Sequence, residues 1–218
     1  MGSSETCAMT DTKLKRIAWL SASDPEKRFD SLIHHFNEQS LATCFAELDG
    51  NKAIGIDGIT KAHYGGQLED NLHDLVARMK RMAYRPQPIR QALIPKEGQP
   101  GATRALGIST LEDKIVQKMM QKVLESIYEP LFLDCSYGFR PGLGCHDAIK
   151  ALYQYLYRQD VQIIIDVDLA NFFGTIDQSQ LVELLQAKIG DERLIRYLIR
   201  MFKAGVLSEG DLVVDEEG

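Results

Sequence analysis

The spacing of apolar positions predicts that helices form much of this chain. In "LEDNLHDLVARMKRMAY" the apolar residues fall three or four positions apart, at Leu68, Leu72, Leu75, Val76 and Met79. This is the period of an amphipathic helix, and the cations at the C-terminal end of the segment match the helix dipole. The pattern therefore predicts an amphipathic helix over this stretch.

Further helices are predicted on both sides of this one. "SASDPEKRFDSLIHHF" has the residues of a helix start, with Ser23 or Asp24 as the cap and Pro25 in the first turn. This first helix is expected to continue as far as Gly50. The other predicted helices are 111–130, which ends at Pro130, 146–159, 178–188, which Asp177 caps, and 191–203.

Four stretches have strand patterns. "PIRQALIPK" and "RALGIST" are joined by the turn-rich "EGQPGAT", which predicts a β-hairpin, and "GVLSEGDLVVDEEG" predicts a second hairpin. "VQIIIDVD" (161–168) is a nearly continuous apolar run, which is typical of a strand covered on both faces. Helices and hairpins together predict an α+β fold that is helix-rich on its N-terminal side.

Composition narrows the class of protein without identifying it. The chain has 218 residues, 44% hydrophobic and 26% charged, which is ordinary for a globular protein. It has no apolar run long enough for a membrane span and no secretory signal, so we expect a cytoplasmic protein without a membrane partner. Its source is expected to be bacterial. The four cysteines form no CxxC pair, which favours free thiols over disulfides or a metal site.

The net charge of −6 conceals a basic strip in the middle of the chain. Seven cations between positions 78 and 104 are opposed only by Glu97. Two interpretations stay open from charge alone: a solvated helix face, or an electrostatic track for phosphates. The cations are Arg78, Lys80, Arg81, Arg85, Arg90, Lys96 and Arg104.

Two carboxylates end the predicted strand in "IIIDVDLANFF". Side chains alternate along a strand, so Asp166 and Asp168 are predicted to share one face. A carboxylate at the end of a covered strand needs a partner, which can be a hydrogen-bond donor, a cation or a metal ion. The residues alone leave open a structural cap or salt bridge and an acidic active site.

Five segments in a fixed order resemble a known family. From about Phe29 to the C-terminus, the chain is similar to the N-terminal half of group II intron-encoded proteins, which are reverse transcriptases and maturases. The segments are "NKAIGIDGIT" (51–60), "IPKEGQPGATRALGIST" (94–110), "EDKIVQKMMQKVLESIYEP" (112–130), "SYGFRPGLGCHDAIKAL" (136–152) and "DLANFF" (168–173).

The resemblance implies a right-hand polymerase architecture. It divides the chain into a flexible N-terminus (1–24), a helix-rich N-terminal extension (25–65), fingers (66–158) and a partial palm (159–218). It also implies RNA-directed DNA synthesis from dNTPs, with a template RNA, expected to be intron RNA, and a DNA or RNA primer as partners. Assistance in intron splicing and mobility is implied too, whereas the oligomeric state, a homodimer included, is not readable from the sequence.

The resemblance assigns catalytic roles in the palm segment. Asp168 would bind both Mg²⁺ ions of a two-metal polymerase, for which Mn²⁺ could substitute, and the backbone carbonyl of Leu169 would add an oxygen ligand. Phe173 would be the steric gate that excludes a ribose 2′-hydroxyl, and its alternative role, core packing, is expected of Phe172. Members of the family usually have an aspartate where this chain has Gly174.

The resemblance also assigns roles to cations. Lys96 and Arg104 would contact the triphosphate of the incoming nucleotide, although their spacing alone favours two exposed hairpin charges. Arg140 is expected either near the template or primer strand or in a buried pair with a carboxylate, and Asp57 is expected to serve turn geometry. The residues expected to bind RNA are Arg78, Lys80, Arg81, Arg85, Arg90 and Arg140.

No adjacent Asp-Asp pair occurs in the sequence, although palms of this family carry a Tyr-x-Asp-Asp motif. We therefore expect a fragment of a longer polymerase, able to bind RNA but inactive in polymerisation by itself. The alternatives are a non-catalytic, maturase-like RNA-binding module, a relative associated with defence or CRISPR systems, and a nuclease-like enzyme that uses Asp166 and Asp168.

Overall fold

A computed structural model describes residues 3–95, 98, 101–208 and 211–213. The helices are α1 (Ser3–Ser23), α2 (Glu38–Glu47), α3 (Lys61–Gly65), α4 (Leu68–Lys80), α5 (Leu111–Tyr128), α6 (Cys145–Arg158), α7 (Gln178–Lys188) and α8 (Glu192–Phe202). The strands are β1 (Ile89–Pro95), β2 (Thr103–Ile108), β3 (Val206–Ser208) and β4 (Asp211–Val213), and short 3₁₀ turns lie at Ile33–His35, Glu129–Leu131 and Phe172–Thr175. The predicted α+β class is confirmed.

Helix α5 forms the centre of the hydrophobic core. It packs against α1 and α2, and α2 packs in turn against α4. Its side chains Ile115, Val116, Met119 and Val123 are fully buried. Among the described helices, none is both long and apolar enough to cross a membrane.

The amphipathic pattern of α4 is confirmed. Leu72, Leu75, Val76 and Met79 are all buried in the core, and Leu68 packs against it. Burial of one apolar face is what fixes the helix in place, because helices of this length are marginal in isolation.

The two predicted hairpins form, and the structure joins them into one sheet. Strands β1 and β2 pair antiparallel, with Arg90 opposite Ile108 and Ile94 opposite Arg104. Strands β3 and β4 also pair antiparallel. The parallel pairing of β1 with β3, which the sequence did not predict, gives the strand order β2-β1-β3-β4.

The predicted helix start at Ser23 or Asp24 is wrong, whereas the later part of the same predicted helix forms as α2 and ends before Gly50. Helix α1 ends at Ser23, in the segment that the sequence separates as a flexible N-terminus. Asp24 instead accepts a hydrogen bond from the Glu26 N–H at 3.1 Å, which forms a turn. An Asp-Pro pair can follow a helix as well as start one, because proline cannot continue a helix.

The strand predicted over 161–168 is not formed. This segment has no regular secondary structure, and no described strand pairs with it. Ile163, Ile165 and Val167 are 78, 81 and 79% exposed. A β-strand depends on hydrogen bonds to a neighbouring strand, so the apolar run alone cannot establish it, and the prediction that Asp166 and Asp168 share a strand face is wrong for this structure.

His35 makes the stability of the core dependent on pH. Its side chain is buried, and its ring lies tilted by 37° against that of His34, with 4.0 Å between centroids. Burial, followed by the charges of His34 and Lys13, lowers the pKa of His35 from 6.5 to about 4.

The unfolded chain therefore binds a proton on His35 that the folded chain excludes between these two pKa values, so stability falls as the pH decreases through this window. We expect a loss of about 2 kcal/mol in unfolding free energy between pH 8 and pH 5 from this residue. Urea denaturation at both pH values measures it, and His35→Gln is the control that should remove this part of the pH dependence. An equal loss in both proteins would contradict the assignment to His35.

Candidate functional site

The segment that carries Asp168 has no regular secondary structure and lies on the surface. The aspartate is exposed, and Leu169 beside it is 64% exposed. Asn171 then adopts a left-handed backbone conformation (φ 49°), which turns the chain into the 3₁₀ turn that follows. Within that turn the Thr175 hydroxyl donates to the Asn171 carbonyl at 3.2 Å and lies 3.0 Å from that of Phe172.

The two phenylalanines of this turn both face solvent. Phe173 is 78% exposed, and its ring centroid lies 5.3 Å from that of Phe172. Phe172, which was predicted to pack in the core, is 48% exposed, so that prediction is wrong. Phe173 is therefore accessible to a ligand, and Phe172 supports its ring from one side.

Oxygen ligands for a hard cation are present at this position, but they are few. The Asp168 carboxylate and the Leu169 carbonyl are of the type that Mg²⁺ prefers. Among the described residues, no three side chains of His, Cys, Asp or Glu converge on a common point. The donor chemistry fits magnesium, and the ion would need further ligands besides these two.

The β1–β2 hairpin presents Arg104 on its surface. Arg104 is exposed on β2 directly opposite Ile94, and Leu106 on the same face is 47% exposed. Lys96, the other cation predicted to contact a triphosphate, lies outside the described residues. The hairpin thus offers one described, solvent-facing guanidinium.

The basic strip divides into paired and exposed cations. Arg78 donates to Asp74 at 2.6 Å and to Glu112 at 2.7 Å, and the hydrogen bond to Glu112 raises its pKa further. Arg90 donates through two nitrogens to the Ile54 carbonyl, at 3.1 and 2.7 Å. Arg78 thus joins α4 to α5, and Arg90 joins β1 to the loop at Ile54. Because these contacts occupy their donor groups, both arginines have less capacity to bind phosphate.

The other members of the strip are open to solvent. Lys80, Arg81 and Arg85 are exposed, and within the described part of the chain they form no ion pair. They follow one another along the last turn of α4 and the connection to β1. This short run is where a phosphate track remains available.

Arg140 lies in a largely buried pair with a carboxylate, which is one of the two arrangements expected from the sequence. Its guanidinium pairs with Glu129 at 2.8 Å and donates to the carbonyls of Leu133 and Ser136, both at 2.8 Å. Only 12% of the side chain is exposed. It fixes the loop before α6, so we omit Arg140 from the RNA-binding residues proposed below.

In the "GIDG" turn, Asp57 stabilises the turn through its side chain, as predicted. The Asp57 carboxylate accepts a hydrogen bond from the Ile59 N–H at 3.1 Å, and Gly58 has a φ of +69°. Gly55 is required for a different reason, because a Cβ there would lie 2.5 Å from the Cα of Thr110. The turn is therefore pressed against the start of α5.

The sequence interpretation missed a buried carboxylate beside this turn. Asp113, in the first turn of α5, is 2% exposed and accepts hydrogen bonds from Tyr84, Gln87 and Thr110. The feature of the sequence that could have indicated Asp113 is the spacing Thr110-x-x-Asp113, which is typical of a capped helix start. That spacing explains the bond to Thr110 but does not predict the two other donors.

Comparison with known proteins places these features in a family. The model of the family described as "Reverse transcriptase (RNA-dependent DNA polymerase)" matches residues 94–211, a range that contains Arg104, Asp168 and Phe173. The Group II intron-encoded protein LtrA of Lactococcus lactis subsp. cremoris is 31% identical over 195 residues, which cover 89% of this chain and 32% of that protein.

Two further relatives show similar identity over most of the chain. Protein YkfC of Escherichia coli (strain K12) is 30% identical over 211 residues, 94% of this chain and 55% of that protein. The "Uncharacterized 91 kDa protein in cob intron" of Schizosaccharomyces pombe is 31% identical over 182 residues, 84% of this chain and 22% of that protein. The chain thus spans between about a fifth and about half of these relatives.

Because the family match covers more than half of the chain and the relatives include intron-encoded proteins, this protein belongs to the reverse transcriptase family, in its group II intron-encoded branch.

Proposed function

We propose that this chain supplies the N-terminal extension, the fingers and the first part of the palm of an RNA-directed DNA polymerase of group II intron type. The observation that supports this most is the family match over 94–211, which contains the whole of β2 with Arg104 and the segment with Asp168. The proposed substrates are dNTPs, a template RNA and a primer, with intron RNA as the natural template and splicing partner. The proposed location is the cytoplasm.

The proposed roles follow from the chemistry of each side chain. Asp168 and the Leu169 carbonyl would contribute ligands to Mg²⁺ or Mn²⁺, which supplies charge stabilisation for phosphoryl transfer when bound. Arg104, and Lys96 on the other side of the hairpin turn in sequence, would bind the triphosphate and offset its negative charge. Phe173, exposed and supported by Phe172, would lie against the sugar of the nucleotide.

Primer extension on an RNA template tests the proposed activity. The complete protein, with Mg²⁺ and dNTPs, is expected to extend an annealed primer to the end of the template. RNA binding without any extension would instead favour a non-catalytic, maturase-like module. The experiment therefore separates the proposed enzyme from the alternative.

The exposed cations predict salt-dependent RNA binding by the chain itself. Lys80, Arg81 and Arg85 face solvent in one short run. Replacing all three with glutamine should weaken binding to single-stranded RNA and reduce the slope of log K against log salt concentration by about 2, because each phosphate contact releases condensed counterions. A fluorescence anisotropy titration between low and moderate salt measures the slope.

A charge-matched control uses exposed cations elsewhere. Substituting Arg193, Arg196 and Lys203 with glutamine removes the same charge from α8 and its C-terminal end. The slope should then stay near that of the unmodified chain. Equal losses in both variants would show that net charge, and not the run at 80–85, determines RNA affinity.

The proposed position of Phe173 leads us to expect that it determines the sugar specificity of the polymerase. Phe173→Val shortens the side chain proposed to meet the 2′ position, so ribonucleotides should be incorporated more readily by about one to two orders of magnitude relative to deoxynucleotides. Single-nucleotide insertion assays with dNTP and NTP measure the ratio of kcat/KM. Phe172→Val is the matched control; it leaves the Phe173 side chain intact and should change that ratio much less than Phe173→Val does. An unchanged ratio in Phe173→Val would refute the gate.

A further inference from the structure

We propose that Asp113 is a positioning residue that holds the β1–β2 hairpin, and hence Arg104, at a fixed place on the helical core. The part of this inference that concerns nucleotide binding rests on the function proposed above. The structural part, which assigns the anchoring of the hairpin to one carboxylate, is independent of that function.

The carboxylate of Asp113 uses both oxygens. Oδ1 accepts from the Tyr84 hydroxyl at 2.5 Å. Oδ2 accepts from the Thr110 hydroxyl at 2.7 Å and from the Gln87 N–H at 3.0 Å. Because the residue is 2% exposed, water cannot replace a donor that is lost, and each broken bond leaves a buried polar group unsatisfied.

The three donors lie at the two ends of the hairpin. Gln87 comes two residues before β1 begins at Ile89, and Thr110 comes two residues after β2 ends at Ile108. A single side chain on α5 therefore binds the chain where it enters the hairpin and where it leaves. The strands themselves are held to each other by their ladder, but the ladder does not fix their position on the core.

Tyr84 connects this carboxylate to α8. The Arg200 guanidinium donates to the Tyr84 carbonyl at 2.7 Å, and the rings of Tyr84 and Tyr197 lie 5.7 Å apart. Burial, with the charge of Asp113 next in weight, raises the pKa of Tyr84, so the hydroxyl stays protonated and remains a donor. The entry to the hairpin is thus fixed on two sides.

The loop that contains Ala53 and Ile54 makes further contacts with β1 and α5. Arg90 on β1 donates to the Ile54 carbonyl, and Lys114 on α5 donates to the Ala53 carbonyl at 2.6 Å. These contacts are exposed and individually weaker than buried ones. Asp113 is the buried member of the set, and its loss should release the hairpin more than the loss of any exposed contact.

Hydrogen exchange on the chain itself tests the anchoring. Asp113→Asn keeps the size of the side chain but replaces one carboxylate oxygen with an NH₂ group, which cannot accept a hydrogen bond. The variant therefore loses either the bond from Tyr84 to Oδ1 or the bonds from Gln87 and Thr110 to Oδ2. We expect the amides of β1 and β2 to exchange about tenfold faster or more, with a smaller change in α5.

Asp191→Asn is the matched control, because Asp191 is also a buried aspartate that caps a helix, α8, but its other contacts are with the backbone of residues 32 and 33. It should accelerate exchange around those contacts and leave the hairpin unchanged. If Asp113→Asn does not fold, Tyr84→Phe removes one donor only and should give the same pattern with a smaller change. Unchanged hairpin exchange, or an equal increase over the whole chain, would overturn the proposal.

Kinetics of the complete protein tests the consequence for nucleotide binding. Asp113→Asn should raise the KM for dNTP by about tenfold and leave kcat nearly unchanged, because a displaced Arg104 weakens nucleotide binding without altering the reacting groups. Asp191→Asn should lower the active fraction and leave KM unchanged. If the unmodified protein extends no primer, the proposed function fails while the exchange experiment still decides the role of Asp113, and an unchanged KM beside faster hairpin exchange would overturn only the link to nucleotide binding.

Discussion

Replacing Asp168 with alanine is expected to reduce primer extension by the complete protein by on the order of 10³-fold or more. The proposed role of this carboxylate is to hold Mg²⁺ at the reacting phosphate, and a bound metal ion contributes several kcal/mol of charge stabilisation, each 1.36 kcal/mol being tenfold in rate. Asp168 is exposed in this chain, so its removal should not destabilise the fold. Single-turnover extension and a thermal unfolding curve, measured on the same preparation, check both statements.

Asp166 provides the matched control for this substitution. It lies two residues earlier in the same irregular, exposed segment and has the same charge. Asp166→Ala should retain most of the extension rate, and both variants should bind template RNA as the unmodified protein does. Comparable losses in the two variants would favour the nuclease-like pair of carboxylates over a single metal-binding aspartate.

Replacing Asp191 with alanine is expected to lower the free energy of unfolding by about 3–4 kcal/mol. The carboxylate caps α8 by accepting from Arg193 and Leu194, and it also accepts from the N–H groups of Leu32 and Ile33 at 2.7 and 2.8 Å. It is 6% exposed, so alanine leaves several backbone donors buried without an acceptor. Urea denaturation followed by circular dichroism measures the loss.

Asp177 is the control that separates capping from burial. It caps α7 in the same way, by accepting from the N–H groups of Ser179 and Gln180, but it makes no described contact with a distant segment and is exposed. Asp177→Ala should cost only about 1 kcal/mol, the usual value for an N-cap. Similar losses for both aspartates would mean that the contact of Asp191 with residues 32 and 33 contributes little.

Patterns that depend on neighbours in sequence were predicted well. Helix α7 was predicted over 178–188 with Asp177 as its cap, and both features are present. The β1–β2 hairpin was predicted from two apolar runs and the turn between them. Such elements form from interactions within a few residues, so the periodicity of the sequence contains the information needed.

Predictions failed where the outcome depends on a distant partner. The run 161–168 has the composition of a covered strand, yet no described strand pairs with it. Arg78 pairs with Glu112 and Arg140 with Glu129. The sequence left the Arg140 pair open and did not indicate the Arg78 pair, and RNA binding by either arginine stays a prediction. The sequence lists the cations but does not show which of them remain free after folding.

The sequence by itself determined the family, the α+β class, most of the helices and the two hairpins, because ordered motifs and local periodicity are properties of the linear chain. Only the tertiary structure decided that the hairpins share a sheet through β1 and β3, that Arg140 pairs with Glu129, and that Asp113 accepts hydrogen bonds from residues on both sides of the β1–β2 hairpin. The physical reason is that a buried polar group must find its hydrogen-bond partners in space, and these partners come from parts of the chain whose proximity no local pattern specifies.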